Sequence, residues 1–119
     1  MKKTLIIGAS IKPERYAYKA AQKLIAHQHP IEMIGRREDI LFEKKINTEK
    51  VQFEDIHTVT LYVGQQHQSE YYDYIITMKP QRVIFNPGTE NEAFESLLKQ
   101  NNIEAERACT LVLLASGVY

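Results

Sequence analysis

Thr4-Leu5-Ile6-Ile7-Gly8-Ala9-Ser10-Ile11-Lys12-Pro13-Glu14-Arg15, running into Tyr16-Ala17-Tyr18-Lys19-Ala20-Ala21-Gln22-Lys23-Leu24, decides the fold. An apolar run stops at Gly8. A short polar loop carrying Lys12, Pro13 and Arg15 follows, and then an amphipathic helix begins. A parallel α/β sheet builds phosphate cradles in that order. The glycine lets backbone approach a ligand, and the helix N-terminus offers unpaired N–H groups at the positive end of its dipole. Glycines after buried strands also serve plain packing, so this segment alone leaves both uses open.

The rest of the chain repeats the alternation. Lys3–Ile7 reads as a central parallel strand, because its apolar run is nearly continuous. Tyr16–Gln28 reads as a helix with Ala17, Ala20, Ala21, Leu24 and Ile25 on one face, ended by His29-Pro30. Ile31–Ile34 is a short second strand, with Gly35-Arg36-Arg37 at its carboxyl end. Thr58–Val63 is rich in β-branched residues and reads as a strand closed by Gly64-Gln65-Gln66. Ser69–Met78 follows as helix and Arg82–Phe85 as strand. Asn86-Pro87-Gly88 is a turn by composition, and Thr89 and Glu92 have capping-box spacing for a helix to about Asn101. Glu104–Arg107 reads as a weak edge strand and Cys109–Ala115 as a short closing helix. Within 38–56, Lys44–Asn47 and Val51–Phe53 suggest a ragged edge strand and a turn, and no helix is indicated. The charges of that stretch suit an exposed edge.

Strands alternating with helices predict a three-layer α/β sandwich with a mostly parallel, doubly wound sheet of about five strands. The simplest topology sets 3–7 in the middle, with 31–34 on one side and 58–63 on the other. Open sheets of this kind bind ligands where the strand order reverses, beyond the carboxyl ends of the strands. The loops Gly8–Arg15, Gly35–Arg37 and Val63–Gln66 converge there.

Bulk properties narrow the function. The chain has 119 residues, 44% hydrophobic and 25% charged, which suits one domain with a real core. Fifteen basic and 15 acidic residues cancel, which does not suggest nucleic acid or an acidic membrane surface as partner. The apolar run near the N-terminus is too short for a signal peptide or a membrane span, so a cytoplasmic location is expected. Cys109 is the single cysteine, which fits a reducing compartment. No metal-ligand spacing is present, and His27, His29, His57 and His67 have no paired acid that would suggest catalysis.

The loops indicate the ligand. A dinucleotide fingerprint needs G-x-G-x-x-G, and here Gly8 is followed by Ala9 and Ser10. A plain NAD site would also place an acid after the second strand to bond the ribose hydroxyls. That position holds Gly35-Arg36-Arg37. Arginine cannot accept from a hydroxyl, but its planar fork matches phosphate oxygens. The expected ligand is therefore an adenosine nucleotide with an extra phosphate, either NADP or coenzyme A. The competing reading of Arg36 and Arg37 is a solvated turn. Lys12 and Arg15 oppose the helix dipole unless an anion arrives, a conflict that Glu14 partly offsets.

Four segments carry a family resemblance: Ile7–Tyr16, Thr58–Val63, Arg82–Asn91 and Cys109–Val112. The G-A-S-x-x-P-x-R-Y and N-P-G-T-E-N patterns are its most specific parts. The chain resembles the small stand-alone CoA-binding domain proteins, which are similar to the N-terminal domain of the succinyl-CoA synthetase α subunit. The resemblance implies a Rossmann-like fold over 1–119 that binds CoA or acyl-CoA. It implies that Gly8, Ala9, Ser10, Ile11, Lys12 and Pro13, with Arg15 and Tyr16, hold the pyrophosphate. Arg36, with Gly35 and Arg37 beside it in the binding loop, falls where the synthetases keep a basic residue for the 3′-phosphate end, and Val63, Gly64 and Gln65 would lie along the ligand. The synthetases' proline-rich loop is missing at that last position. Their phosphohistidine domain and ATP-grasp domain are not expected here either. The leading expectation is a non-catalytic binding module acting as sensor, carrier or accessory. The rivals are a synthetase subunit working with a separate ATP-grasp chain, and an NADP-binding module.

Overall fold

The computed structural model describes residues 1–119. Its strands are β1 (Thr4–Ile7), β2 (Ile31–Ile34), β3 (Asp39–Leu41), β4 (Lys44–Asn47), β5 (Thr58–Leu61), β6 (Arg82–Phe85) and β7 (Glu104–Arg107). Its helices are α1 (Tyr16–Ala26), α2 (Tyr72–Met78), α3 (Glu92–Gln100) and α4 (Thr110–Ala115). All strands join one sheet in the order β3-β4-β2-β1-β5-β6-β7. Every pairing is parallel except β3 with β4. No helix is long and apolar enough to cross a membrane.

The central strands are apolar on both sides because both faces are covered. Side chains alternate across a strand. Leu5 and Ile7 therefore enter one core with Tyr74 and Ile75 of α2 and Phe94 and Leu98 of α3. Ile6 enters the other, with Ala17, Ala21 and Leu24 of α1 and Leu114 of α4. The Phe94 ring stacks on Tyr72 at 4.2 Å and meets Phe85 edge-on at 5.7 Å, which fixes α3 against the sheet.

The three-layer Rossmann-like sandwich agrees with the sequence reading, and so does β1 between β2 and β5. The sheet has seven strands where the sequence indicated about five. Part of the increase lies in 38–56, where β3 and β4 form a hairpin through Phe42 and Glu43, both at positive φ (51° and 65°). Val51–Phe53 has no regular structure. The Val51 carbonyl accepts a hydrogen bond from the Tyr74 hydroxyl. At the exposed sheet edge the Ile40 N–H donates to the Asp39 carboxylate at 2.8 Å.

Some boundaries shift for local reasons. α1 stops at Ala26, and Ile25, expected on the apolar face, is 41% exposed. The stretch from Ser69 begins as a 3-10 turn and becomes α-helical only at Tyr72. The cap of α3 is not at Thr89. Asn91 holds that position, its Oδ1 accepting from the Phe94 N–H at 3.2 Å. The Glu95 carboxylate in turn accepts from the Asn91 N–H at 2.9 Å. Thr89 turns back instead, its hydroxyl donating to the Asn86 carbonyl at 2.7 Å.

Candidate functional site

The crevice beyond the carboxyl ends of β1, β2 and β5 has a volume of about 740 Å³. Gly8, Ala9, Ser10, Ile11, Lys12 and Arg15 form one wall. Gly35, Arg36 and Arg37 come from the loop after β2, and Val63 and Gly64 from the loop after β5. Pro13, Tyr16 and Gln65, named from sequence, do not line it. Asp39, Ile46, Tyr62, His67, Glu70 and Tyr71 do line it and were missed. Tyr62 and His67 adjoin the converging loops in sequence, whereas Asp39, Ile46, Glu70 and Tyr71 carry no such signal.

Backbone contacts hold the three loops together. The Gly8 and Ala9 N–H groups both donate to the Ile34 carbonyl at 2.9 Å. Gly8 has φ +97°, and a Cβ there would lie 2.7 Å from the Tyr62 carbonyl oxygen. A Cβ on Gly35 would lie 2.6 Å from the Ala9 carbonyl oxygen. Glycine is required at both places because backbone passes backbone with no room for a side chain. The Ser10 hydroxyl accepts from the Lys12 N–H at 3.1 Å and so shapes the turn.

The charges of this wall are free. None of Lys12, Arg15, Arg36 and Arg37 takes part in an ion pair. Arg15 occupies the cap position before α1 with no side-chain cap bond, and the first turn holds no acid. By contrast α3 has the Asn91 cap and both Glu92 and Glu95 in its first turn. An uncapped start with cations beside it is the arrangement an anion completes. The phenols in the crevice remain neutral donors. Burial pushes Tyr62 up to about 12, with Thr110 and Thr60 pulling weakly the other way. Burial also pushes Tyr71 up to about 12, aided by Glu70 and opposed by the nearby Arg36 charge.

A more open groove of about 670 Å³ lies around Lys3, Pro30 and Ile31, toward the opposite strand ends. Its lysines are engaged, since Lys3 and Lys44 share Glu32 at 3.6 and 3.5 Å. It offers an anion nothing comparable.

Asn86-Pro87-Gly88-Thr89-Glu90-Asn91 does not line the crevice. Asn86 is buried and donates to the Thr60 hydroxyl (2.7 Å) and the Leu61 carbonyl (2.8 Å). Its Oδ1 accepts from the Thr110 N–H at 2.9 Å. The motif therefore braces β5, β6 and α4 behind the site. Cys109 precedes α4 as a free, half-buried thiol.

Comparison with known proteins places this geometry. A family model described as a CoA binding domain matches residues 2–115. The chain belongs to that family. A solved structure described as an uncharacterized protein is 48% identical to this CoA-binding domain. It superposes with a TM-score of 0.98 and covers 100% of this chain and 98% of its own. Cell-free ID.343 from Thermus thermophilus shares the fold at 15% identity and TM-score 0.87, over 99% of this chain and 90% of its own. A hypothetical protein from Pyrococcus horikoshii OT3 does so at 23% identity and TM-score 0.85, over 98% and 83%. No match was found among curated proteins. Membership supports a CoA-binding role in general terms. The residues present fit that ligand, because unpaired cations and an uncapped helix start suit a molecule that carries a pyrophosphate and a 3′-phosphate.

Proposed function

We propose that this domain binds CoA or acyl-CoA non-covalently in the crevice and serves as a sensor, carrier or accessory module without chemistry of its own. The uncapped, acid-free start of α1 beside the unpaired Lys12 and Arg15 carries this reading. The pyrophosphate would take the place of the missing cap, held by Gly8–Pro13, Arg15 and the first turn at Tyr16. Arg36 and Arg37, presented by Gly35, would take the 3′-phosphate. Val63, Gly64 and Gln65 would follow the ligand along the other wall.

The test is a calorimetric titration with CoA, dephospho-CoA and NADP. CoA is expected to bind more tightly than dephospho-CoA, and Arg36→Ala to narrow the gap. An exposed, screened guanidinium–phosphate contact is worth about 1.5 kcal/mol, or about tenfold in Kd. Equal affinity of the natural protein for CoA and dephospho-CoA removes the role given to Arg36. Binding of NADP with indifference to CoA overturns the reading.

A further inference from the structure

Gln68 is fully buried, although its neighbours Gln65, Gln66, His67 and Ser69 are exposed. An amide tolerates such burial only when its donors and acceptor are matched. Here they are. Nε2 donates to the Val63 carbonyl at 3.0 Å and to the Thr89 carbonyl at 2.7 Å. Oε1 accepts from Asn91 Nδ2 at 3.0 Å. Asn91 is itself 2% exposed, donates to the Tyr72 hydroxyl at 2.8 Å and caps α3. One side chain thus ties the crevice loop after β5 to the turn after β6 and to α3.

The tie reaches the phosphate loop by contact. A Cβ on Gly8 would lie 2.7 Å from the Tyr62 carbonyl oxygen and 3.1 Å from Val63 Cγ1. There is no slack between these segments, so a displacement of Val63 is felt at Gly8. Only an amide performs the task. A glutamate cannot donate to the two carbonyls, and an apolar side chain leaves both of them unpaired and removes one of the two acceptors of the Asn91 amide.

We propose that Gln68 is a positioning residue for ligand binding: through Val63 it sets the geometry of the Gly8–Lys12 loop, while touching no ligand itself. The proposal rests on the CoA-binding reading above and assigns a determinant of that site's affinity. Gln68→Met keeps the volume and removes the tie. Gln68→Glu keeps the shape and the acceptor for Asn91 but removes both donors.

Two measurements decide the matter. In the ligand-free protein, amide hydrogen exchange in Gln68→Met is expected to rise about tenfold at Gly8, Ala9 and Val63–His67, and to stay unchanged in β2. In calorimetry, the Kd for CoA is expected to rise about tenfold at unchanged stoichiometry. The ratio of CoA to dephospho-CoA affinity should be kept, because Arg36 is untouched. A lowered stoichiometry with unchanged Kd overturns the proposal, since it would show Gln68 to be structural only. Unchanged exchange at Gly8 and Ala9 overturns it as well. If Gln68→Met does not fold, the same two readouts on Gln68→Glu decide it by the same criteria. Failure of the natural protein to bind CoA refutes the preceding reading, whereas the exchange data still decide whether the tie governs the loop.

Discussion

Asn86→Ala should be among the more damaging single substitutions outside the apolar core. The side chain is 2% exposed and makes three hydrogen bonds: to the Thr60 hydroxyl, to the Leu61 carbonyl and from the Thr110 N–H. Thr60 can fall back on its bond with the Thr110 hydroxyl at 2.8 Å. The Leu61 carbonyl and the Thr110 N–H are left without this partner. A stranded buried polar group costs about 1–3 kcal/mol, so two of them, partly relaxed, cost about 3 kcal/mol. For a chain of this length that corresponds to a fall of about 10 °C in Tm. Asn86→Asp is the sharper probe. It keeps the shape and the acceptor for Thr110, but it loses both donors and sets a carboxylate against the Leu61 carbonyl. It should destabilise at least as much as Ala at neutral pH. The assay is thermal unfolding followed by circular dichroism, with coincident fluorescence to establish two-state behaviour. A loss below about 2 °C for Ala, or an Asp variant milder than Ala, would refute the account of this motif as a brace.

Two further outcomes follow from the geometry. Gly8→Ala should cost more than about 2 kcal/mol, because strained φ and a clash with the Tyr62 backbone combine; Gly88→Ala, with φ +90° and nothing within 4 Å, should cost only about 1 kcal/mol. Equal losses by chemical denaturation would show that the loop contact has slack. The domain should also lose stability on acidification. His29 is held below its ordinary 6.5 first by burial and then by nearby positive charges including Lys2 and Arg82. His57 is held down by burial, then by Arg82 and Lys2, with Glu104 opposing. The unfolded chain therefore binds protons more readily, so this contribution is full above about pH 6.5 and fades as pH falls through the depressed values. Tm measured from pH 7.5 to 5 should drop, and the slope should flatten in His29→Gln/His57→Gln. An unchanged slope in that double variant would assign the acid sensitivity elsewhere.

The layers, the central strands and the converging loops were legible because they rest on strong signals. Ile6 and Ile7 sit in strands buried on both faces, which leaves an apolar run no surface element would carry. Gly8 and Gly35 mark places where backbone meets backbone. β3 was not legible. Its hairpin turns through Phe42 and Glu43 at positive φ, where Asn-Gly or Asp-Gly would have announced the turn. The cap of α3 was displaced by two residues because Thr89 and Asn91 are both good caps. In the fold the Thr89 hydroxyl is engaged by the Asn86 carbonyl, and Asn91 is held by Gln68, distant in sequence. Tyr71, Glu70 and Asp39 reach the crevice from a 3-10 turn and an edge strand, and no local pattern reveals that. Pro13 in the loop and Tyr16 at the start of α1 do not line the crevice.

The bond from the Ile40 N–H to the Asp39 carboxylate has a consequence for solubility. A sheet grown by repeated parallel crossovers needs a terminator at each side. At β7 Glu104, Glu106 and Arg107 supply charge. At β3, Ile40 is 70% exposed on the outermost strand, which is the profile of a sticky edge. Asp39 occupies the donor that an incoming strand would use and places a negative charge at the same spot. One carboxylate thereby lets the sheet stop growing while a large apolar side chain stays in water.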